Sequence, residues 1–187
     1  IHHRVSEKGI QLNAIADRIE HKYGIPITNR RVAVTPASIL LEPLPRTQTV
    51  AVRLAKTLDN AAANADIDFI GGFGALLQQG APRADATLML LLPAALSQTK
   101  RVCAFFNLAS TQTGMNMTVI EQFGHILKDL ARRSKTGIGC AKVAVFANVP
   151  EDNPFMAGAH HGMGEPDYSL NIGISGPGVV KAVIEQN

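Results

Sequence analysis

Apolar residues recur at helical spacing in several stretches and gather into short continuous runs between them. That alternation predicts a chain of repeated strand–helix units. Leu12, Ile15, Ala16, Ile19 and Tyr23 mark one face of a first helix, which Gly24, Ile25 and Pro26 bring to a stop. Residues 31–35 predict the first strand, closed by Pro36. A connection containing Pro43 and Pro45 leads to a helix opened by Thr47 and carrying Val50, Leu54 and Leu58. Residues 67–70 predict a second strand that breaks at Gly71-Gly72-Phe73-Gly74. Residues 85–96 are too long for an ordinary strand and read as a helix despite Pro93. The third strand is expected at 102–107. Thr118 and Glu121 then form a capping-box pattern before a helix face of Val119, Phe123, Ile126, Leu127 and Leu130. Residues 141–148 and 168–174 bring the expected number of strands to about five. Strands that read as continuous apolar runs are covered on both faces, so a mostly parallel sheet in an α/β fold follows. No helix is predicted between the last two strands, which leaves their pairing direction open. Residues 1–187 contain no linker, short repeat or internal boundary, and read as a single domain.

In such a fold the loops after the carboxyl ends of the strands carry ligand chemistry. The richest of these ends is the loop after the 141–148 run. It places Asn148, Glu151, Asp152, His160, His161 and Glu165 among glycines. Acids and histidines gain little from burial unless they are paired or bind something, so their concentration in one loop marks a candidate site. A histidine titrates close to neutral pH, which suits His160 or His161 to general acid or base work, with Glu151, Asp152 or Glu165 as orienting carboxylates. Two other roles stay open for the pair. Glu151, Asp152, Glu165 and Asp167 could supply oxygen ligands to a divalent ion beside a histidine. Adjacent histidines rarely chelate one ion together, however, and no HExxH or clustered Cys/His pattern accompanies them, so no metal set is assigned. Alternatively, one histidine lies at the surface and the other anchors the loop.

Ser175-Gly176-Pro177-Gly178 precedes an apolar-periodic helix. A serine cap, an early proline and small residues present free backbone N–H groups at the positive end of a helix, where phosphate or carboxylate can rest. Ser175, Gly176, Gly178 and Asn148 are therefore candidate ligand-binding residues. An ordinary capped helix needs the same residues, and the lysine and spacing of a P-loop are absent. The Gly71–Gly74 stretch is too bare of side chains for chemistry and reads as a tight turn or as a place where a ligand nears the backbone.

Composition narrows the classes. Apolar residues make up 46% and aromatics 5%, which fits an aliphatic core beneath helices. The formal net charge of +3 comes from scattered residues without interleaved aromatics, so a nucleic-acid groove is not expected. No apolar run approaches the roughly 18 residues of a membrane span, and no signal peptide opens the sequence. Cys103 and Cys140 each stand near the start of a strand-like run and read as buried free thiols in a reducing compartment, with cytoplasm as the expected location. His125, on the amphipathic helix, reads as structural, and Ser110, Thr111 and Thr113 read as a helix entry. No Gly-x-Ser-x-Gly elbow supports a serine nucleophile. The first residue is Ile, and both ends read as if inside helices, which suggests a piece of a longer protein.

Four segments carry a family resemblance: residues 24–36, 68–80, 148–164 and 171–181. They resemble the uncharacterised prokaryotic family labelled pyruvate formate-lyase-like, through almost the whole chain. The resemblance implies a fold similar to one half of the ten-stranded β/α barrel of glycyl radical enzymes. It also implies an internal fragment of a longer member. It carries no catalytic residue, since adjacent cysteines and a glycyl radical loop are both lacking here. It leaves the cofactor unknown.

The residues together lead to an expected enzyme or binding protein for a small anionic metabolite, using the 148–165 loop and the 175–178 turn. The alternative is a non-catalytic regulatory or sensory protein on an enzyme-like barrel. Exposed edge strands of a half-barrel would also favour a homo-oligomer.

Overall fold

The computed structural model describes residues 1–45, 47–78, 83–164, 166–174 and 176–186, with backbone alone at 83–86, 179, 182 and 186. Four parallel strands form the sheet: β1 (Arg31–Ala33), β2 (Phe69–Leu76), β3 (Val102–Ser110) and β5 (Val143–Ala147), with β1 and β5 at the two sides. The fifth member, β4 (Gly114–Met115), turns back antiparallel on the end of β3. The sheet is open. The α/β class and the mostly parallel sheet follow the sequence pattern, while a closed ten-stranded barrel is not what the described residues form.

Between the strands run α1 (His2–Tyr23), the short α2 (Ala37–Leu40), α3 (Gln48–Asn64), α4 (Arg83–Leu96) and α5 (Met117–Arg133). A 3-10 segment, Lys135–Lys142, leads into β5, and α6 (Gly176–Gln186) comes last. Thr47 caps α3 by accepting from the backbone N–H of Val50, and Asn116 caps α5 by accepting from that of Val119. The capping role expected of Thr118 therefore falls to Asn116, two residues earlier. Helices α3, α4 and α5 cover one face of the sheet. Leu54, Leu58, Leu92, Phe123 and Leu130 pack there against Ala104, Phe106 and Leu108 of β3. No helix among the described residues is long and apolar enough to cross a membrane.

The double glycine behaves differently from the sequence expectation. Gly71–Gly74 is not a turn after the second strand; it lies inside β2, and its residues are buried. The pairing of β2 with β3 shifts register between Ile70 and Phe73, a β-bulge that turns both of those side chains into the core. Gly72 takes φ 106° within it, a backbone conformation that favours glycine. The break expected after residue 70 is thus an extra residue in a continuing strand.

The expected strand at 168–174 is likewise corrected. Those residues belong to no strand among the described residues, and every one is exposed. Cys140 lies in the 3-10 segment rather than at the head of a strand.

Cys103, the second residue of β3, is 2% exposed. Burial pushes its thiol above the ordinary 9.0 to about 11, while Lys142 and Arg31 pull the other way. Lys142 reaches the same region from the other side of the sheet start: its ammonium donates to the carbonyls of Leu96 and Thr99 at 3.0 and 2.7 Å, and burial lowers its pKa. A thiol held protonated and out of solvent should label slowly. In native protein at pH 8, a maleimide should modify Cys140 well ahead of Cys103, read by peptide mass mapping, with both labelling equally in urea. Because the folded pKa is the higher, the stabilising contribution of this thiol is complete below pH 9 and is lost as pH rises through about 11.

Candidate functional site

The second face of the sheet is covered by the chain's own loop. After β5 the backbone turns at Asn148, whose φ is 57°. Asn148 Oδ1 accepts from the backbone N–H and the hydroxyl of Thr111, at 2.7 and 3.2 Å, so its side chain is tied to the β3–β4 turn. The loop then folds on itself through paired backbone bonds between Asn153 and His160, at 3.0 and 2.9 Å. It crosses the sheet from β5 toward β1. Gly158 lies on Ala144 and Phe146 of β5, His160 on Phe105 of β3, and the carbonyl of Ala159 on Gly71 of β2. The backbone N–H of His161 donates to the carbonyl of Val34, just past β1, at 3.1 Å. Glycine at 71 is required by this crossing, since a Cβ there would run into the Ala159 carbonyl.

The two histidines have unlike surroundings. His160 is 1% exposed, and its ring stacks on Phe105 with centroids 4.0 Å apart and planes 12° from parallel. Its Nδ1 faces the carbonyl of Gly158 at 3.1 Å and its Nε2 that of Pro150 at 3.2 Å. Both nitrogens are used by the loop itself. His161 is part-exposed: its Nδ1 lies 3.2 Å from Asp152 Oδ1, and the two side chains are 20% and 23% exposed. Asp152 Oδ1 also accepts from the backbone N–H of Gly162 at 3.3 Å. A carboxylate only accepts, so Nδ1 carries the hydrogen in this pair. Nε2 faces the carbonyl of Pro166 at 2.9 Å, and both acceptors are met at once only by the doubly protonated ring.

The remaining candidates spread out. Glu151 is exposed, with Oε2 4.0 Å from the position a Cβ would take on Gly164. Glu165 and Ser175 lie outside the described residues. Gly176 and Gly178 open α6 and are exposed, as is every α6 residue whose exposure is described. The described contacts bring neither them nor Asn148 to the Asp152–His161 pair. Asp167 faces Arg4 of α1 at 3.8 Å instead. Among the described residues no group of three or more His, Cys, Asp or Glu side chains could hold a metal ion.

Two partners in this region had no sequence signal. The carbonyls of Val34 and Pro166 are backbone groups that any residue would supply. Phe105 could be recognised only by its parity on β3, opposite to Ala104 and Phe106, once the strand's facing direction is known.

Residues 1–187 match the family described as Uncharacterised ACR (DUF711). A protein called UPF0210 protein from Methanococcoides burtonii is 47% identical over 188 residues, covering 100% of this chain and 41% of the relative. The UPF0210 protein of Carboxydothermus hydrogenoformans is 49% identical with the same coverage. That of Halothermothrix orenii is 51% identical over 174 residues, covering 92% of this chain and 38% of the relative. The chain thus spans about two fifths of the length of the curated relatives it matches. These descriptions do not extend to pyruvate formate-lyase.

Proposed function

The chain belongs to the uncharacterised DUF711 family, and we propose that within it the Asp152–His161 pair is the reacting centre for a small anionic metabolite. The observation that carries this reading is the part-exposed carboxylate–imidazole contact at 3.2 Å, held by backbone bonds from both sides. Asp152 holds Nδ1–H and the ring plane, which is what a positioned general acid or base needs. When the Pro166 carbonyl moves aside, Nε2–H is free to donate to a carboxylate or phosphate oxygen. The Gly176–Gly178 helix start belongs to the proposal only as a second anion contact, supplied by backbone N–H groups if it swings toward the loop. His160 supports the loop from beneath, and Glu151 lies on its rim. The cytoplasmic setting is part of the same reading, supported by two free thiols. Closure of the open sheet into a barrel in the longer polypeptide is also proposed, supported by the sides of β1 and β5 that pair with no strand among the described residues.

A second reading has its own observation. Both His161 nitrogens and its backbone N–H are already engaged, which suits a loop anchor in a regulatory or purely structural protein. Thermal shift of the full-length protein against a panel of small carboxylates and phosphates separates the two. If His161 binds the anion, the His161→Ala protein melts close to wild type without ligand and loses the ligand-induced rise. Any turnover found for the stabilising compound should fall about 10²–10⁴-fold. If His161 is an anchor, the variant melts lower and keeps the rise.

A further inference from the structure

We infer that residues 168–174 form an additional β-strand in the full-length polypeptide, paired with a strand from the part of that polypeptide outside this chain. The segment alternates. In a strand, Tyr168, Leu170, Ile172 and Ile174 would share one side, and Ser169, Asn171 and Gly173 the other. The four large side chains are 53%, 74%, 86% and 82% exposed. Single exposed apolar residues are ordinary, but four in a row on one side of an extended segment are not. The backbone of 168–174 makes no hydrogen bond with another described residue. The stretch also lacks the charges and prolines that guard strands meant to stay at an edge. Its pattern is that of a strand with one packed face and two ladders to fill.

Its starting point is held in place. Arg4 Nε donates to the Tyr168 hydroxyl at 3.0 Å, and the Arg4 guanidinium and Lys8 ammonium lie 5.2 and 4.9 Å from the centre of its ring. This ties the segment to α1, whose Asp17 and Glu20 hold Arg30 at the head of β1. The open side of β5 lies across the sheet from that anchor, and β1 offers only three residues for pairing. Neither edge of the present sheet matches a seven-residue strand starting at Tyr168. The relatives supply the occupant. About three fifths of their length lies beyond the matched part, covalently joined and so present at a high effective concentration. A separate partner has no such advantage.

The test places a photo-crosslinking benzoylphenylalanine at Ile172 in the full-length protein and maps the adduct by peptide mass, beside hydrogen exchange of the unmodified protein. The expected result is an adduct within the same molecule to a residue outside 1–187, with amides 168–174 protected at least 100-fold. An adduct to β1 or β5, an adduct to a second molecule, or amides that exchange at the rate of a free chain would each overturn the inference. Exchange is measured without the bulky probe, so a probe that disturbs folding leaves the second arm decisive.

Discussion

Gly71→Ala is expected to destabilise the protein by about 3 kcal/mol, at the upper end of what overpacking a well-filled interior costs. In an ordinary strand interior the change would be mildly favourable, because alanine loses less chain entropy than glycine. Here the new methyl meets the Ala159 carbonyl, a backbone oxygen in a loop stitched at Asn153 and at Val34. Neither side can rotate away, and trimming Ala159 to glycine leaves the obstructing oxygen where it is. Either the loop lifts, uncovering Phe105, or β2 shifts against β1 and β3. Gly158→Ala provides the contrast. Its methyl would meet the Phe146 ring, the far end of a half-buried side chain that can turn aside. That variant should lose no more than about 1 kcal/mol. Urea unfolding of the two variants measures the difference. Equal and small losses would show that the loop does not rest on the sheet as described.

His160→Ala should cost a further amount of the same order, about 3 kcal/mol, and His161→Ala far less. Removing the buried ring leaves a cavity beneath the loop and ends its stacking on Phe105. It also strips a donor from between the carbonyls of Gly158 and Pro150, in a place water does not easily reach. His161 loses a part-exposed contact with Asp152, and exposed polar pairs contribute less than about 1 kcal/mol. Two neighbours of the same type should therefore separate under equilibrium unfolding. They should separate in the opposite order under the ligand assay, where His161 matters directly and His160 only through the loop it supports. A His161→Ala protein as unstable as His160→Ala would favour the anchor reading of the pair.

The repeated strand–helix order, the helix faces of α3 and α5 and the aliphatic core are legible in the sequence. Each depends on a local period: 3.6 residues for a helix stripe, a short continuous run for a covered strand. The caps of α3 and α5 show the limits of that reading. Thr47 is legible from its own neighbourhood, whereas at α5 the pattern of Thr118 and Glu121 points past Asn116, the residue that caps. The loop after β5 also stands out by composition alone, because acids, histidines and glycines seldom crowd together without a partner.

What covers the second face of the sheet was decided only by tertiary structure. The sequence calls for cover there without saying whether a helix or a loop supplies it. Gly71 and Gly72 read as a turn because glycine is equally at home in turns, bulges and close approaches; only the Ala159 carbonyl and the register shift distinguish these. The same holds for the histidines. Adjacent in sequence, they point to opposite sides of an extended backbone, one toward Phe105 and one toward Asp152. For 168–174 the order is reversed: alternation predicts a strand, while the described fold provides no ladder for it. A local pattern sets which conformation a segment prefers. Which neighbour satisfies that preference depends on contacts between residues far apart in the chain.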